Sequence, residues 1–146
     1  MYKFEKQDYG LKLNISGDLT EQEISGMTVE LKSVVGSISK PFSILVDARE
    51  VMTLDQSVFH LLAECQRILK DAGRQSAAIV INSPVLKNQG QRITLETGST
   101  EAVRFICSAK NQDWERVAMD WILNGIEPDP QLAVSKQQSV TSSFAT

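Results

Sequence analysis

Asp47, Arg49, Glu50, Thr53, Asp55, Gln56, Ser57 and His60 bring carboxylates, a cation, hydroxyls, an amide and the chain's one imidazole into a short stretch. A phosphate on Ser57 would lie in a first helical turn, where free amide groups and the helix dipole favour negative charge. Asp55 already places a carboxylate at that turn, so an ordinary first-turn serine is the simpler reading. His60 shares helical spacing with Gln56, Glu64, Arg67 and Asp71, which makes a solvated polar stripe. No serine or cysteine has a recognisable base and orienting partner, so nucleophilic catalysis has no positive signal. The two cysteines, Cys65 and Cys107, sit in apolar-patterned segments without metal-ligand spacing and read as reduced core residues. Neither a cofactor nor a metal site is expected.

The elements that must carry these residues follow from periodicity. Tyr2 and Phe4, then Leu11, Leu13 and Ile15, alternate with polar residues around Asp8-Tyr9-Gly10, as in a β-hairpin. Thr20 has capping-box spacing to Glu23, and Ile24, Met27, Leu31, Val34 and Ile38 continue at helical spacing, predicting a helix from about Thr20 to Ser39. Phe42 to Asp47 is a nearly unbroken apolar run, the pattern of a strand covered on both faces. A short loop rich in carboxylates follows. Asp55 caps the next helix, Leu54 staples onto Phe59, and Gly73 stops it. Ala77 to Asn82 repeats the buried-strand pattern, Ser83-Pro84 opens a third helix closed by Gly98, and Val103 to Cys107 is a last strand. Trp114, Val117, Ala118, Trp121 and Ile122 line one face of a fourth helix that ends at Gly125 and Pro128. The bland reading of the two tryptophans is core packing, and an apolar ligand pocket is the alternative.

The order β-β-α-β-α-β-α-β-α predicts an α/β domain with a mixed, mostly parallel five-stranded sheet and about four helices over residues 1–128. Residues 129–146 are short of large apolar side chains and rich in Gln, Ser and Thr, which predicts a flexible C-terminal tail. The net charge of -3 and isoelectric point near 5.2 give no general attraction for phosphate backbones, so nucleic-acid binding is disfavoured. With neither a signal-peptide pattern nor an apolar span, a cytoplasmic location is expected.

Residues 45–62, LVDAREVMTLDQSVFHLL, resemble the signature region of STAS domains, the anti-sigma-factor antagonists and their relatives. In that family an aliphatic strand ending in Asp leads through a loop to an Asp-Ser-Ser-Gly helix start. Asp47 matches the strand-end Asp and Asp55 the acid at the helix start. The phosphorylated hydroxyl of the family falls at Gln56, the motif Gly falls at Val58, and Ser57 matches the second serine. The ending VRFICSAKNQDWERVAMDWILNGIEP is similar to that of an uncharacterised bacterial branch of the superfamily. The resemblance implies a STAS-like, non-enzymatic interaction or regulatory module in bacterial signalling, without the usual phospho-switch. It implies an unknown protein partner docked on Arg49, Glu50, Asp55, Gln56, Ser57 and His60, with self-association left open.

Two alternatives stand beside it. One is a carrier or sensor of a small apolar ligand, as some STAS-related and Sec14-like proteins are suspected to be. The other is a phosphoryl-accepting receiver-like domain, since Asp18, Asp47, Ser83 and Lys110 follow successive predicted strands; receivers are similar in using an Asp, a hydroxyl and a Lys there. This chain lacks their adjacent acidic pair and begins with a hairpin. Helix caps and loop solvation account for the same four residues.

Overall fold

Tyr2–Gln7 (β1) and Gly10–Gly17 (β2) form the expected hairpin, with Tyr2 opposite Ile15 and Phe4 opposite Leu13. The turn requires glycine at position 10: its φ is 141°, and a Cβ there would stand 2.9 Å from the Cβ of Phe42. The computed structural model that shows this describes residues 1–128, and the expected tail, 129–146, lies outside the described residues.

Thr20 caps α1 (Glu21–Val35) by accepting a hydrogen bond from the Glu23 amide at 3.1 Å. The helix ends at Val35 rather than near Ser39, because Gly36 caps it and Ser37 closes a turn onto the Val34 carbonyl. Strand β3 runs Phe42–Val51, longer than the apolar run suggested. Arg49 and Glu50 are therefore strand residues, not loop residues. The extension follows from pairing: β2 continues alongside, with Ser16 opposite Glu50 and Gly17 opposite Val51 beyond a register shift. Backbone hydrogen bonding carries a strand past the point where its side chains turn polar.

After β3 come a 3-10 turn (Gln56–Val58) and α2 (Phe59–Asp71), then β4 (Arg74–Ile81), α3 (Pro84–Glu96), β5 (Val103–Cys107) and α4 (Trp114–Asn124). Ser83 caps α3 through the Leu86 amide, and Gly125 ends α4 in the left-handed conformation at φ 65°.

The sheet order is β1-β2-β3-β4-β5, with β1 antiparallel and the rest parallel. Each new parallel strand is added on the same side of its predecessor, so right-handed crossovers put α1, α2 and α3 on one face of the sheet. Among the described residues the order never reverses, and the sheet they form has no switch-point crevice of the doubly wound kind. Helix α4 leaves the last strand, makes no crossover, and covers the other face over β3, β4 and β5.

Alternation along the strands separates two cores. Leu11, Leu13, Ile44, Val46, Ala77 and Ile81 face α1–α3, whereas Leu45, Ala78, Val80 and Ile106 face Ala118 and the apolar stripe of α4. Cys65 and Cys107 are free and buried, as expected. On the α4 side of the hairpin the alternate residues Lys3, Glu5, Lys12 and Asn14 stay polar, with Asn14 donating to Glu5 at 3.0 Å. Among the described residues, no helix is long and apolar enough to cross a membrane.

Candidate functional site

The chemistry-bearing stretch starts on β3, the middle strand. Alternation with Val46 and Ala48, which face α1–α3, turns Asp47 and Arg49 toward the α4 face. There the Arg49 guanidinium donates to both Asp47 carboxylate oxygens, Nε to Oδ1 at 2.9 Å and Nη2 to Oδ2 at 3.0 Å. The Arg49 amide adds a third bond to Oδ1 at 3.2 Å. The other side of the guanidinium lies over the Trp114 ring, 3.9 Å from its centroid, and Asn82 Nδ2 donates to the Arg49 carbonyl at 2.8 Å. A planar cation gripped by a bidentate carboxylate and an aromatic face is a rigid clasp of α4 to β3. Burial by itself would raise the Asp47 pKa, but the hydrogen bonds and charge of Arg49 outweigh it and hold the carboxyl below its ordinary range.

The loop and first turn leave in the other direction, onto the α1–α3 face. Asp55 Oδ1 accepts from the Ser57 amide at 3.1 Å, and the Val58 amide bonds the Asp55 carbonyl at 3.1 Å, which winds residues 56–58 as a 3-10 turn before α2 begins. Val58 is 2% exposed, and Leu54 and Phe59 pack on the same core. Gln89 Nε2 on α3 holds the Leu54 carbonyl at 3.3 Å. With those anchors inward, Met52, Thr53, Asp55, Gln56, Ser57 and His60 all face solvent. Glu64, Arg67 and Asp71 continue the exposed stripe down α2.

The docking residues anticipated from sequence thus divide. Asp55, Gln56, Ser57 and His60 share one exposed turn; Glu50 is exposed at the end of β3; Arg49 is committed to Asp47 and Trp114 on the opposite face of the sheet. Asn82, Gln89 and Trp114, which position these residues, carry no sequence signal for that role. Their contacts join positions far apart in the chain.

The receiver-like group has separate occupations. Asp47 is paired within β3, the Ser83 hydroxyl caps α3 through the Leu86 amide at 3.2 Å, and Asp18 and Lys110 are exposed. Among the described residues, no group of three or more His, Cys, Asp or Glu is arranged to hold a metal ion. The tryptophan stripe packs as the simpler reading required. Trp121 Nε1 donates to the carbonyls of Ala77 and Ala102, each at 3.2 Å, and Arg104 covers its ring at 4.2 Å while pairing with Glu127.

No family model matches the chain, and no curated protein does either. Among solved structures it is similar to an uncharacterized protein of the DUF3478 family, described as having a SpoIIAA-like fold, from Shewanella loihica PV-4. The identity is 18%, the likeness covers 84% of this chain and 92% of that one, and the TM-score is 0.57. The chain has a SpoIIAA-like fold, the fold that the resemblance of residues 45–62 and the element order led one to expect.

Proposed function

We propose that the protein is a non-enzymatic interaction module of bacterial signalling, and that its partner docks on the exposed turn of Asp55, Gln56, Ser57 and His60 together with exposed Glu50; Arg49, paired with Asp47 on the opposite face of the sheet, is left out of that surface. The observation that carries this reading is the contrast within residues 52–60. Buried Val58 and half-buried Leu54 fix the backbone, and every polar side chain of the turn is left in solvent. A rigid, solvent-facing polar turn offers shape and hydrogen bonds to a protein without an ordering cost on binding. Met52, 68% exposed beside it, supplies an apolar contact.

Docking on this turn needs no phosphate. Gln56 presents a neutral amide that accepts no phosphoryl group, and the Asp55 carboxylate already satisfies the Ser57 amide. Protein isolated from its native cells is expected to be unmodified at residues 53–60, and substantial phosphate on Thr53 or Ser57 by peptide mapping would overturn that part. Gln56→Glu places a charge in the interface and should lower partner recovery in a pull-down. Equal recovery of every partner by both forms would move the docking surface elsewhere.

A further inference from the structure

The α1–α3 face of the sheet is not filled. A cavity of about 120 Å³ lies between the sheet and the helices, with Val46, Ala48, Ile79 and Phe105 on its sheet side and Leu62 and Cys65 of α2 above. Ile79 shows the gap most directly. It sits on β4, paired on both sides by Val46 of β3 and Phe105 of β5 and under helices, yet it is only partly buried. Native interiors seldom leave such a position open to a water-sized sphere. Leu54 and Leu62, also partly buried, rim the same space beside the first turn of α2.

The chemistry of the wall decides what fits. Its polar side chains are already occupied: Gln66 donates to Thr94 Oγ1 at 3.0 Å and accepts from Thr97 Oγ1 at 2.8 Å, and the Cys65 sulfur meets Thr28 Oγ1 at 3.2 Å. Burial pushes the Cys65 thiol up, so it is uncharged at neutral pH. A water there would find none of the two to four polar partners it needs. Apolar cavities of roughly this size stay dry and take up benzene or xenon. We propose that this cavity is a binding site for a compact, uncharged apolar molecule of about the size of a single aromatic ring, held between the sheet and α2. The site lies across the sheet from the two tryptophans and does not depend on the docking turn.

Benzene and xenon serve as probes, read by methyl NMR of the full chain. Benzene is expected to shift the methyls of Leu62, Val46 and Ile79 saturably, to leave Leu45, Val80 and Ile106 on the α4 face unmoved, and to raise the melting temperature as it saturates. Xenon under pressure should perturb the same methyls. Ala48→Leu fills the floor and should weaken benzene binding at least tenfold with the α4-face methyls unchanged; if that variant does not fold, Ile79→Phe is read in the same way. Equal, unsaturable shifts on both faces, no shift up to the solubility of benzene, or wild-type affinity in a folded filling variant would each overturn the proposal.

Discussion

Gly90 lies in the middle of α3, where alanine would ordinarily stabilise a helix by about 1 kcal/mol. Here the helix crosses the ring of Phe105 on β5. A Cβ on Gly90 would stand 2.7 Å from Cζ and 3.1 Å from Cδ1, closer than packed carbons tolerate, so the ring must move. Overpacking of this kind costs roughly 1 to 3 kcal/mol. Phe105 also lines the cavity, which gives the ring somewhere to go and favours a cost near the middle of that range, about 2 kcal/mol. Set against the propensity gain, Gly90→Ala should destabilise by about 1 kcal/mol, measured by urea denaturation with an unchanged slope. The sign should reverse in a Phe105→Leu background, where no ring meets the new methyl and the helix gain of up to about 1 kcal/mol survives. Gly90→Ala of the same sign in both backgrounds would refute the close approach as the reason for glycine. If the displaced ring enters the cavity, the single variant should bind benzene more weakly as well.

Trp121→Ala should cost about 3 kcal/mol, the low end for a core aromatic because the indole is only half buried, and Trp121→Phe about 1 kcal/mol for its hydrogen bonds to Ala77 and Ala102; thermal or urea unfolding that ranks them otherwise would contradict the packing. Because the folded pKa of Asp47 lies below its ordinary value of 3.8, its contribution is complete above that pH and is lost as pH falls through the lower folded value. The stability gap between wild type and Asp47→Asn should therefore shrink as pH drops below 3.8, and a constant gap would show that the Arg49 pair does not set it. Cys65 and Cys107 are 7% and 5% exposed, and neither should react with a thiol reagent at neutral pH until the protein unfolds; fast labelling of Cys65 would mean that α2 opens readily.

Local chemistry was readable from the chain alone wherever one residue and its near neighbours decide the outcome. Thr20, Asp55 and Ser83 each accept from a backbone amide two or three residues on, Gly125 adopts a conformation other residues resist, and alternation in the hairpin, apolar runs in the later strands, and helical spacing or end signals in the helices marked all five strands and four helices. The fold class followed because right-handed crossovers leave few ways to arrange that order. Tertiary structure decided what depends on partners distant in sequence. β3 reaches Val51 only because β2 runs beside it, and Arg49 leaves the docking turn because strand alternation and the Trp114 ring draw it to the other face. Gly90 reads as a weak point in a helix until Phe105 is placed against it, and the cavity has no sequence signature at all. A pattern of apolar residues specifies which faces turn inward, while the volume left between them is set by the spacing of whole helices against the sheet.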